Sequence, residues 1–103
     1  MKKIKKQNLE NELSKRTEKY RKLTEKALKV IKIEQGLSEK EQRIAEDFLS
    51  MAKNYLEDGK YYEKKGELLI AVCSYSYAHA WLDAGVRARI FKAKDNMLFT
   101  LPE

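Results

Sequence analysis

A chain of 103 residues, 37% charged and 43% hydrophobic, has room for one core inside a heavily ionised surface, and no room for a second domain with a core of its own. A single cysteine excludes a disulfide scaffold and points to a reducing compartment, and no apolar run exceeds six residues, where a membrane-crossing helix takes about 20. The scarcity of Pro and Gly favours long helices over strands, and the basic start Met1 to Lys6 lacks a following apolar stretch of signal length, so the expectation is a cytoplasmic, all-α protein.

Taken in chain order, Leu9, Leu13, Tyr20, Leu23, Ala27, Val30 and Ile31 recur at helical intervals and predict an amphipathic first helix over residues 7–35. Gly36 is placed to end it in the left-handed conformation, with Leu37 folding back onto Ile31. This segment carries the charge: residues 1–36 hold 12 Lys and Arg against 5 acids, a net +7 in a chain whose total is +6. Lys15, Lys19, Lys22, Lys26 and Lys29 fall on one row about 21 Å long at 1.5 Å per residue. Such a row is an electrostatic footprint for a phosphate backbone, or else a solvated face in which Glu12, Glu18 and Glu25 pair with Arg16, Lys22 and Lys29 four residues on.

Ser38-Glu39-Lys40-Glu41 reads as a capping box and opens a second helix over residues 39–65. Ile44, Phe48, Met51, Ala52, Tyr55, Leu56 and Tyr62 form its inner face. Gly59 lies inside it, at an expected cost of about 1 kcal/mol relative to Ala, and Gly66 supplies the stop.

The third helix, over residues 67–92, has two apolar rows. Leu68, Ala71, Val72, Tyr75, Ala78, Leu82, Gly85, Val86 and Ile90 make the first; Ile70, Cys73, Tyr77, Trp81, Ala84, Ala88 and Phe91 make the second. A helix apolar nearly all round needs cover on more than one side. With helices 2 and 3 joined as an antiparallel hairpin at Gly66, helix 1 is expected across the second row, or failing that a second copy of the chain. Gly85 is read as a close-packing position for a crossing helix. The tail, residues 94–103, is apolar enough that docking onto the bundle is expected.

Helix 3 also has a polar line, Ser76, His79, Asp83 and Arg87, with the last three at i+4 steps. A His-carboxylate-guanidinium line suits acid-base or anion-binding work, and equally suits a hydrogen-bonded strip fixing helix register. Cys73 lies roughly 120° around the helix from His79, a poor arrangement for a Cys-His pair. One His and one Cys make no zinc set, the Glu-x-x-His pairs of di-iron bundles are absent, and no Gly-rich phosphate loop appears, so neither metal nor cofactor is expected.

The run from Tyr75 through Ala78, His79, Trp81, Asp83, Gly85 and Arg87 to Phe91, preceded by Gly66-Glu67 and Ala71, resembles the signature of a small archaeal family catalogued as domain of unknown function 357. The likeness extends over helices 2 and 3 and, by length and pattern, over helix 1. It implies a short helical bundle with a long hairpin and brings no catalytic or binding residues; Ala80 departs from it where Gly is expected. A comparison with helical ribonucleases of the HEPN type fails, because the positions where their Arg would precede His79 hold Ser74, Cys73 and Val72.

These readings add up to a three-helix bundle acting as a non-enzymatic interaction or self-associating module. Tyr77, Trp81 and Phe91 form its candidate face, because Tyr and Trp dominate binding hot spots. The alternative is RNA or DNA binding through the lysine row. An enzyme built on His79, Asp83 and Arg87 ranks third, and the sequence identifies no membrane association and no small-molecule substrate.

Overall fold

The computed structural model describes residues 2–94, with side chains from residue 6 onward. Three helices, α1 (Lys2–Val30), α2 (Glu39–Lys64) and α3 (Leu68–Arg87), are accompanied by two short strands, β1 (Lys32–Ile33) and β2 (Phe91–Lys92). The chain is an all-α bundle in which α2 and α3 pack closely as an antiparallel hairpin and α1 lies along it. The apolar tail from residue 95, expected to dock, lies outside the described residues.

Both ends of α2 follow from its sequence. The Ser38 hydroxyl accepts from the Glu41 amide and the Glu41 carboxylate accepts from the Ser38 amide, each at 3.1 Å, completing the capping box. At the other end Gly66 takes φ +79, its N–H donates to the Glu63 carbonyl at 3.0 Å, and the Glu67 N–H donates to the Tyr62 carbonyl at 3.0 Å. That pair of bonds is a Schellman stop, and it turns the chain directly into α3.

The first and third helices end sooner than the periodicity predicts, α1 at Val30 and α3 at Arg87. Three of the four residues Val30, Ile31, Lys32 and Ile33 are β-branched and favour extended backbone. Lys32 and Ile33 of this run pair antiparallel with β2 in the register Lys32 to Lys92 and Ile33 to Phe91, and the Glu34 N–H donates to the Ile90 carbonyl at 2.8 Å. Gly36 does adopt φ +74, but in the turn between β1 and α2 and not as a cap on α1. On α3 the stop is Arg89, at φ +63: its N–H donates to the Val86 carbonyl at 3.1 Å and the Ile90 N–H to the Gly85 carbonyl at 3.0 Å, a second Schellman stop with Arg where Gly is usual. The reversal sends Ile90 and Phe91 inward as extended chain.

The core has two parts. Ala27, Ala45, Ala52, Leu82, Val86, Ile90 and Phe91 fill the end nearest the strands, and Leu56, Ala71, Tyr75 and Ala78 fill the end nearest Gly66. Buried alanines on all three helices keep the axes close. Two glycines serve larger neighbours. A Cβ on Gly59 would stand 2.4 Å from the Tyr75 ring, and one on Gly85 would stand 2.1 Å from the Phe91 ring. Gly85 is thus a close-approach site as expected, but its neighbour is the returning β2 and not a crossing helix.

The inner face of α1 differs from its predicted stripe. Leu9 is 67% exposed and Val30 45%, whereas Thr17 and Thr24 are buried. Each hydroxyl has an acceptor: Thr17 donates to its own helix at the Leu13 carbonyl, 2.7 Å, and Thr24 donates across to the Tyr75 carbonyl, 3.3 Å. Between residues 6 and 16 only Leu13 is even half-buried, so the first turns of α1 stand clear of the hairpin.

Candidate functional site

Helix α3 presents its first apolar row inward, with Ala71, Tyr75, Ala78, Leu82, Gly85 and Val86 all buried. Helix α1 also packs on that row, as the Thr24 bond to Tyr75 shows. The second row is therefore left without the helix 1 cover expected for it. Tyr75 and Tyr77 are two residues apart and so about 200° apart around the helix, and α1 cannot reach both sides.

The uncovered side carries Leu69, Ile70 and Tyr77, which are 69%, 47% and 54% exposed, together with Cys73, Ala80 and Ala84. Trp81 is half-buried at its edge, with its ring edge-on to Phe48 of α2 at 5.0 Å, and Tyr77 leans on Tyr55 at 4.5 Å. Tyr77, Ala80, Trp81 and Ala84 line a shallow apolar groove of about 300 Å³. Among the 20 residues of α3 only Asp83 and Arg87 carry full charges. Phe91, the third member of the predicted aromatic face, is 3% exposed and lies in the core against Gly85, because the Arg89 turn carries it inward.

The polar line of α3 is brought together in part. His79 Nε2 and Asp83 Oδ2 stand 3.7 Å apart, both partly buried, a distance at which a protonated imidazole is attracted to the carboxylate but which exceeds a hydrogen bond. Arg87 lies exposed one turn further on. Among the described residues no three His, Cys, Asp or Glu side chains converge as a metal site.

A polar cluster that periodicity does not indicate joins α1 to the hairpin near Gly66. The fully buried Tyr75 donates its hydroxyl to Glu63 Oε1 at 2.6 Å, and the Arg21 guanidinium pairs with the other oxygen of the same carboxylate. Arg21 also meets Glu25 at 3.3 Å, and Lys60 approaches Glu25 and Glu57 at 3.9 and 3.4 Å. Burial, and then the bond to Glu63, hold the Tyr75 hydroxyl well above the ordinary tyrosine range; the same carboxylate raises the Arg21 guanidinium. Arg21, Glu25, Glu57, Lys60 and Glu63 line an open groove of about 640 Å³ whose charges largely neutralise one another, so its chemistry is that of a fastening. The members of the cluster were legible only singly, Tyr75 as a core residue and Glu25 as an i+4 partner, because Arg21 and Glu63 are 42 residues apart.

The five row lysines, Lys15, Lys19, Lys22, Lys26 and Lys29, are all exposed. The expected pairs Glu12 to Arg16 and Glu18 to Lys22 form, at 3.1 and 2.8 Å, and Lys22 holds the Glu18 carboxyl below its ordinary range. The third does not form, because Glu25 turns to Arg21 and Lys60 and leaves Lys29. Among the described residues Lys15, Lys19, Lys26 and Lys29 make no ion pair.

No helix among the described residues is long and apolar enough to cross a membrane. Neither a curated protein nor a solved structure matches the chain. A family model does match, over residues 19–91, from the middle of α1 into β2; its description is a protein of unknown function, DUF357.

Proposed function

We propose that this chain, which belongs to the DUF357 family, acts as a non-enzymatic helical interaction module whose uncovered α3 side docks onto that of a second copy. The observation that carries this reading is the exposure of Leu69, Ile70 and Tyr77 on a helix with two charges in 20 residues, within a chain that is 37% charged. Contiguous apolar surface of this kind is uncommon on a protein with no partner. The strip is about 30 Å long at 1.5 Å per residue. Taken as roughly 20 Å wide with the Phe48 and Tyr55 edge of α2, it would bury on the order of 1,200 Å² across two subunits, the lower end of stable interfaces.

A second copy suits the electrostatics. The strip is nearly neutral and so is compatible with itself, while α1, which holds the positive charge, packs on the opposite side of α3 and would be kept away from its symmetry mate. The non-enzymatic part of the reading is supported by one polar cluster: the part-buried Arg21 and Glu63 and the buried Tyr75 satisfy one another and Thr24 bonds backbone, so none of these four is held in reserve for a substrate.

Light scattering of the full chain at micromolar concentration tests the proposal. A dimer is expected, and Tyr77→Glu together with Ala84→Glu is expected to give a monomer of unchanged helicity, since both positions are exposed in the single chain. A wild-type protein that stays monomeric refutes self-association.

A further inference from the structure

The lysine row of α1 takes no part in the proposed docking side, and three features single it out from an ordinary solvated helix face. Helix α1 holds eleven Lys and Arg against four Glu, a net +7, so the rest of a chain of total +6 nets −1. Four of its five row lysines make no ion pair among the described residues; for Lys29 the reason is that Glu25, the acid positioned to reach it, is drawn into the Arg21 and Lys60 cluster. The row faces away from the hairpin, and its N-terminal end continues onto turns that the hairpin does not cover.

We infer that this row is a binding site for the phosphodiester backbone of a nucleic-acid duplex, engaged without regard to sequence. A straight row of cations about 21 Å long spans the axial length that holds roughly 12 backbone charges of a B-form duplex, at one per about 1.7 Å with both strands counted, so those on the facing side suffice for a few lysines. The row has no exposed aromatic residue with which to stack unpaired bases, which favours a duplex over a single strand. An anionic bilayer surface fits less well. A helix lying in a membrane interface buries an apolar face, and the inner face of α1 is committed to the hairpin through Thr17, Thr24 and Ala27.

With four unpaired lysines engaged, binding weakens with about the 3.6th power of salt concentration, an affinity loss of about 150-fold between roughly 50 and 200 mM. The test is fluorescence anisotropy of the full chain with a DNA duplex and an RNA duplex of unrelated sequences at those two salt concentrations. Alongside runs a vesicle arm of phosphatidylserine in phosphatidylcholine. Binding of either duplex with this salt dependence, and more tightly than the vesicles, is expected, and the duplex that binds more tightly shows whether DNA or RNA supplies the phosphates.

Replacing Lys19, Lys22 and Lys26 together by Gln removes two of the four, so the salt effect should shrink to about 10-fold. Replacing Lys40, Lys53 and Lys64 by Gln removes the same charge from exposed positions on α2 and should leave binding within about twofold of wild type. No binding to either duplex at low salt overturns the inference. So does equal loss in the two triple variants, which would make net charge alone responsible, and so does binding to vesicles but not duplexes. The readout is independent of oligomeric state, since the row lies on the side of the bundle away from the α3 strip.

Discussion

Replacing Gly59 by Ala separates two effects of opposite sign. Helix propensity alone makes Ala the better residue in the interior of α2, by about 1 kcal/mol. In the folded chain the new methyl carbon would sit 2.4 and 2.6 Å from two carbons of the Tyr75 ring, where ordinary contact begins near 3.4 Å. The ring has to withdraw by about 1 Å, the difference between those distances, and it has no free volume to enter: Tyr75 is 0% exposed and its hydroxyl is held by Glu63 at 2.6 Å. Overpacking of a close-packed interior costs typically 1–3 kcal/mol. Set against the propensity gain of about 1 kcal/mol, the net expectation is destabilisation by up to about 2 kcal/mol, a fall in Tm of up to roughly 15 °C for a domain of this size. Thermal and urea unfolding of the full chain measures it, with Tyr75→Ala as the second arm of a double-mutant cycle. With the ring gone, Gly59→Ala should turn stabilising by up to about 1 kcal/mol. A wild-type background in which Gly59→Ala raises the Tm would refute the claim that this glycine exists to seat Tyr75.

Two further substitutions, one at each end of the bundle, have expected outcomes. Tyr75→Phe should cost about 1.5–3 kcal/mol, the value of a buried hydroxyl donating to a carboxylate. Because the folded pKa of Tyr75 is raised, its stabilising contribution is whole below the ordinary tyrosine value of about 10 and drains away as the pH climbs from there toward the folded value; the gap between wild type and Tyr75→Phe should narrow in alkaline urea titrations. Arg89→Gly should stabilise by about 0.5–1 kcal/mol, since it relieves a left-handed residue at φ +63 at some entropic cost to the unfolded chain. A Tm lowered by that change would mean that the Arg89 side chain matters more than its backbone.

Features decided by near neighbours in sequence were legible. The capping box at Ser38, the stop at Gly66 and the inward row of α3 each depend on residues within a turn or two of one another, and the structure reproduces all three. Thr17 and Thr24 escape a count of apolar letters, which has no place for a hydroxyl that bonds a carbonyl, and Leu9 and Val30 take their places in the predicted stripe. The helix stop at Arg89 has no sequence mark, since the usual sign is a glycine. The uncovered side of α3 depends on the azimuth at which α1 lies, which the pattern of α1 leaves open because its buried residues are small. The candidate face was legible in Tyr77 and Trp81, and misread at Phe91 by extending a helical wheel past the point where the backbone stops being helical.

The threonine seam of α1 gives the bundle two grades of adhesion. Among the described residues of that helix only Thr17, Thr24 and Ala27 are fully sequestered, a methyl and two groups that water can serve as well as protein can. Parting α1 from the hairpin would wet the half-buried Tyr20, Leu23 and Leu28, whereas parting α2 from α3 would strip the buried Tyr75, Leu56 and Leu82. The cationic strut is accordingly the removable member of the assembly and the hairpin its permanent frame, so local opening should begin along the seam.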